Sequence, residues 1–141
     1  MRGGRWVWRH MRYCGGAGVS RIDREGPIHR AILHYLRVVL PGAIIHHSAS
    51  EGVRGGKAGY LDGAKRKGMG QVSGFPDILA LTEAGPLFFE VKAEGSYASP
   101  AQKAMHGQLA ALGYSVAVVR SVEDVREVLA AWGVATREAA E

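Results

Sequence analysis

After Pro27, apolar residues recur at helical spacing as Ile28, Ile32, Tyr35, Leu36 and Val39, and Pro41-Gly42 ends the run. Pro27 suits a first helical position, so a helix is predicted here. Ala43-Ile44-Ile45-His46 reads as a short strand. Between 48 and 74 the rhythm fails: glycine stands at 52, 55, 56, 59, 63, 68, 70 and 74, which predicts a long loop with at most one turn of helix. Ile78-Leu79-Ala80-Leu81 and Leu87-Phe88-Phe89 with Val91 are apolar on both faces, as strands covered on both sides are. Thr82 to Pro86 supplies a hairpin turn between them.

Ser99-Pro100 then offers an N-cap and a first-turn proline, with Met105, Leu109 and Leu112 on one stripe before Gly113. Tyr114 to Val119 predicts a buried strand. Ser121 with Asp124 has the spacing of a capping box, and Val122, Val125, Leu129 and Trp132 give the last helix a core face. The order is α-β-β-β-α-β-α, an α/β fold without internal repeat. Residues 1–20 show no period and read as a disordered arm, 21–135 as the domain and 136–141 as a tail.

Charged groups interrupt the two central strands where buried strands carry none. Asp77 precedes the first, and Glu90 and Lys92 close the second. Such groups are almost never fully buried unless paired or bound to a metal. Side chains two apart share a strand face, so Glu90 and Lys92 point the same way with Val91 behind them. In a hairpin Asp77 reaches that face too. Two carboxylates and an ammonium converging at a sheet edge form a site for a hard divalent cation, and a metal-dependent hydrolase is the natural reading.

Pro76-Asp77, followed after an interval by Glu90-Val91-Lys92, resembles the PD-(D/E)XK nuclease signature. The continuation Gly95-Ser96-Tyr97-Ala98-Ser99-Pro100-Ala101-Gln102 resembles the virus-type replication-repair nuclease (VRR-NUC) branch, and the likeness runs from about Glu25 to Trp132. The resemblance implies a restriction-endonuclease-like core, a mixed sheet flanked by helices. It implies Asp77, Glu90 and the Val91 carbonyl as ligands of Mg²⁺, with Mn²⁺ as a substitute. Lys92 then acts as a base or as a stabiliser of developing charge, two roles the sequence leaves open. Gln102 belongs to the extended motif, where it can hydrogen-bond Glu90, and it also reads as an ordinary first-turn glutamine. Glu25 matches the family's acid near the first helix, although Gly26-Pro27 leaves its direction open. His106 lies on the side of Gln102 and is left outside the core site. His46 and His47 are adjacent on a strand and so face opposite ways, which argues against a shared zinc ion. Gly55-Gly56-Lys57-Ala58 lacks the spacing of a phosphate-binding loop.

Net charge is +5 over 141 residues, and its placement matters more than its total. Arg2, Arg5, Arg9 and Arg12 make the first twenty residues basic. Arg54, Lys57, Lys65, Arg66 and Lys67 do the same for the glycine-rich stretch, against Asp62 alone. Basic segments around a carboxylate centre suit a polyanion, which points to these five residues as contacts for DNA; solvated, solubilising segments are the plainer reading. A single cysteine, Cys14, excludes an internal disulfide and a cysteine-rich zinc site. No apolar run reaches membrane-span length and no secretory leader is evident, so a cytoplasmic protein is expected, nucleoid-associated or phage-encoded.

The function expected from these observations is a Mg²⁺-dependent DNA endonuclease, structure-selective for Holliday-junction-like or branched DNA and acting as a homodimer in repair or phage DNA processing. The junction and dimer rest on the family resemblance and the small size. One alternative is a phage or mobile-element endonuclease cutting ordinary duplex. Another is a nucleic-acid-binding module without catalysis, against which an intact Asp77, Glu90 and Lys92 argue.

Overall fold

The computed structural model describes residues 22–48 and 56–140. Helix α1 (Gly26–Val39) carries Pro27 in its first turn and turns Ile32, Tyr35, Leu36 and Val39 inward, as the spacing requires. Strand β1 (Ile44–His47) follows, then helix α2 (Gly56–Gly68). The hairpin is β2 (Ile78–Thr82) and β3 (Gly85–Val91), turned at Glu83-Ala84 with the Thr82 hydroxyl donating to the Gly85 carbonyl. Helix α3 (Pro100–Ala111), strand β4 (Ser115–Val119), helix α4 (Val122–Ala131) and a 3-10 turn (Arg137–Ala140) complete the order.

The four strands lie in the order β1-β2-β3-β4, antiparallel except for the parallel β3–β4 pair. A parallel pair needs a crossover, and α3 supplies it. Along β3 the side chains alternate. Leu87, Phe89 and Val91 face one way and join Ile78, Ala80, Val119 and the inward faces of α1 and α4 in a single core. Phe89 is fully buried, with its ring 5.6 Å from that of Trp132. Truncating it to alanine would cost about 3–5 kcal/mol, enough to unfold a marginal domain. Phe88 and Glu90 face the other way, toward α3.

Four expectations need correction. The stretch 48–74 is not a loop with one turn of helix, because α2 occupies thirteen of its residues. Its glycines lower helix propensity without forbidding a helix, and Asp62 pairs with Arg66 one turn later to support it. The element order therefore gains a helix between β1 and β2. On α3 only Leu109 of the expected stripe is buried, while Leu112 is 72% exposed, because the helix ends at Ala111 and Leu112 turns outward. Strand β4 is buried only at Val119. The segment read as a tail also docks: Glu138 accepts from the Tyr35 hydroxyl at 3.0 Å and from Arg126 Nε at 3.2 Å. The N-terminal arm and Arg54 lie outside the described residues.

Candidate active site

One end of the sheet gathers the start of α1, the end of β1, the approach to β2, the end of β3 and the start of α3. Asp77 stands just before β2, and its Oδ2 accepts from the Val91 amide at 2.9 Å. Its own carbonyl accepts from the Ser48 amide, which continues the β1–β2 ladder beyond the strands. The carboxylate of Asp77 is thereby tied to the segment that carries Glu90.

Glu90 is completely buried, which is rare for a carboxylate. Its Oε1 accepts from Lys92 Nζ at 3.0 Å and from the Gln102 side-chain amide. Its Oε2 is buried with no hydrogen-bond partner. Burial pushes its pKa up to about 7, the Lys92 hydrogen bond pulls it down, and the neighbouring Asp77 carboxylate adds to the rise. Burial alone would lower Lys92, itself 8% exposed. The Glu90 hydrogen bond and the charges of Glu90, Glu25 and Asp77 outweigh it, so its pKa stands above the ordinary lysine value.

Gln102 reaches Glu90 because α3 starts in a closed capping box. The Ser99 hydroxyl accepts from the Gln102 amide at 3.2 Å, and Gln102 Oε1 accepts from the Ser99 amide at 2.8 Å. Gly74 lets the Gly74-Phe75-Pro76-Asp77 segment run against this turn. It adopts φ +76°, and a Cβ on it would meet the Ala101 carbonyl oxygen at 2.4 Å. Phe75 and Tyr114 pack on Phe88, with ring centroids 5.7 and 5.9 Å away. The segment from Glu94 to Tyr97 is pinned by Arg24 and Arg120, which donate to the Glu94 and Ser96 carbonyls at 3.3 and 2.7 Å.

Glu25 stands at the N-terminal boundary of α1 without a side-chain bond to the helix, and its Oε1 instead accepts from the Ala93 amide at 3.4 Å, which places it beside Lys92. The structure thus brings Asp77, Glu90, Lys92, Gln102 and Glu25 to one end of the sheet. Lys65, Arg66 and Lys67 fall in the last turn of α2, where Arg66 pairs with Asp62, and the Lys57 side chain is outside the described residues.

Sequence reasoning left out two histidines. His106 lies one turn beyond Gln102 with Nε2 3.7 Å from Glu90 Oε2, and burial lowers its pKa. The helical repeat from Gln102 pointed to it. His29 stacks edge-on against His47 at 4.4 Å, and His47 Nδ1 is 3.0 Å from the Asp77 carbonyl oxygen. Burial and then His47 lower the His29 pKa.

The donor set suits a hard cation. Among the described residues no three His, Cys, Asp or Glu side chains assemble into a metal cage. Two carboxylates, one of them with a partnerless buried oxygen near His106, match an ion that keeps several of its waters.

No family model matches the chain, and no curated protein does. Solved structures do. One, described as a VRR_NUC domain protein, is 27% identical, covers 75% of this chain and 84% of its own, and superposes with a TM-score of 0.58. Another, described as a VRR_NUC domain, shares the fold at 23% identity, covering 75% of this chain and 94% of its own with a TM-score of 0.51. The mixed sheet, the motif residues gathered at one end of it and these likenesses together support the assignment of this chain to the VRR-NUC domains.

Proposed function

We propose that the chain is a divalent-cation-dependent nuclease of the PD-(D/E)XK type that hydrolyses DNA phosphodiester bonds, with Mg²⁺ as the working ion and Mn²⁺ able to replace it. The likeness to VRR_NUC structures supports a nuclease at the level of the family. The observation that carries the finer reading is Glu90: a fully buried carboxylate held at one oxygen, left without a partner at the other, beside Asp77.

Asp77, Glu90 and the Val91 carbonyl would hold the ion. A cation bound there neutralises phosphate charge and acidifies water. The chain's own residues do the rest. Gln102 and Lys92 fix the Glu90 carboxylate, and the Val91 amide fixes that of Asp77. Lys92, protonated and enclosed by carboxylates, offers a fixed positive charge to the negative charge that grows on the phosphate. Glu90 does most to hold the Lys92 proton, and Glu25 adds further negative charge next to it. Lys65 and Lys67 supply phosphate contacts along the DNA, together with Lys57, Arg66 and Arg54.

Branched DNA is the proposed substrate, and a homodimer the proposed form, because two copies of a small single-site domain can cut two strands of a junction. Cleavage of branched, duplex and single-stranded DNA in Mg²⁺ tests this, with Asp77→Ala and Glu90→Ala alongside and sedimentation for the dimer. Each variant should stay folded and lose cleavage. Mg²⁺-dependent cutting by the double variant would refute the site, and equal cutting of plain duplex would refute the preference for branches.

A further inference from the structure

Glu90 is gripped on one side only. Lys92 and Gln102 both donate to Oε1, whereas buried Oε2 accepts nothing. Facing Oε2 at 3.7 Å is Nε2 of His106, a second buried polar atom without a partner. Two such buried atoms left apart each forgo a hydrogen bond that water cannot replace. A closure of roughly 0.8 Å brings them to hydrogen-bond distance and satisfies both. His106 follows Gln102 by four residues on α3, so the two side chains project from one helix face toward one carboxylate. The His106 side chain is only 14% exposed, which leaves water little access to compete.

We propose that His106 is a positioning residue whose Nε2–H donates to Glu90 Oε2, so that α3 holds both oxygens of the carboxylate from one side. Each carboxylate oxygen has two lone-pair sites, so this donor leaves Oε2 able to bind a cation as well. The orientation of a ligating carboxylate is commonly set by such outer partners. The inference rests on reading Glu90 as a cation ligand.

Calorimetric titration of Mg²⁺ and of Mn²⁺ into the wild-type protein, His106→Leu and His106→Gln tests it, with thermal unfolding and DNA turnover measured in parallel. His106→Leu should weaken both ions by about 10–100-fold while its unfolding midpoint stays near that of the wild type. His106→Gln, which restores a donor, should recover most of the affinity. Should His106→Leu fail to fold, His106→Phe provides a ring without a donor for the same comparison. Wild-type affinity for both ions in the donor-less variant would reduce His106 to packing and overturn the proposal. Loss of Mn²⁺ binding alone would also overturn it, in favour of direct ligation by nitrogen. A wild-type protein that binds neither ion would overturn the cation reading of Glu90 itself, a result distinct from the other two.

Discussion

The side chain of Gln102 is shared between its own helix and Glu90: its oxygen accepts from the Ser99 amide at 2.8 Å and its nitrogen donates to Glu90 Oε1. The capping box therefore does more than start α3. Ser99→Ala should cost about 1 kcal/mol of stability and also slow turnover, since the Gln102 backbone amide loses its acceptor and the helix turn that aims the Gln102 side chain loosens. Gln102→Glu keeps the acceptor for the Ser99 amide but sets a carboxylate against a carboxylate, so turnover should fall much further than stability. Thermal unfolding and single-turnover cleavage check both. Equal loss of the two quantities in Gln102→Glu would show that the residue is only structural.

Glu90 predicts a pH dependence whose sign follows from its raised pKa. Between the ordinary value of 4.5 and the folded value of about 7, the unfolded chain releases this proton and the folded one retains it. The cation-free protein should therefore lose stability as pH rises through that window. Lys92, raised above 10.5, contributes stability that disappears only at higher pH, outside the window. Cation binding needs ionised Glu90, so Mg²⁺ affinity should be about tenfold weaker at pH 6 than at pH 8. Calorimetry in two buffers of different ionisation enthalpy would register the released proton.

Lys92→Ala should slow cleavage by about 10²–10³-fold while cation binding remains measurable. Lys92→Arg distinguishes the two roles, since arginine stays protonated. Because carboxylates surround Lys92 and hold its proton, the charged role predicts partial recovery by arginine. No recovery, with the fold intact, would favour proton transfer.

Gly74→Ala should destabilise the protein by more than the ~1–2 kcal/mol of left-handed strain, because the new methyl meets the Ala101 carbonyl as well. The displaced first turn of α3 carries Gln102, so cleavage should fall too. Cleavage and stability both at wild-type levels would contradict the close approach.

Neutralising Lys65 and Lys67 should lower the log–log salt slope of duplex binding by about 0.9 for each phosphate that is no longer neutralised. Turnover at saturating DNA should survive, since neither residue stands among the carboxylates. An unchanged slope would make the α2 cations solubilising only.

Much of the fold was legible because its elements have clear periods and clear ends. The two-faced apolar runs around Ile78 and Phe89, the Pro27 start and the Ser99-Pro100 cap all correspond to elements observed. Helix α2 was hidden because its glycines imitate a loop, and its apolar Tyr60 and Leu61 lie 77% and 58% exposed instead of marking a buried stripe. The convergence of Asp77, Glu90 and Lys92 followed from strand alternation and the hairpin. The orphaned Glu90 Oε2 opposite His106 was illegible, since it depends on how α3 lies across the sheet, which a one-dimensional pattern does not encode.

Strand β3, which bears Glu90, is interior to the sheet, and its parallel neighbour β4 comes from residues 115–119. During synthesis the chain can present Asp77, Glu90, Lys92 and Gln102 before β4 exists, yet the Glu90 strand then has an open edge and an unfinished core. Pairings this distant in sequence form late. An incomplete chain on the ribosome, or one clipped before Ser115, would thus carry the motif residues and no working blade. Whatever chemistry this site performs therefore waits on the last strand of the sheet.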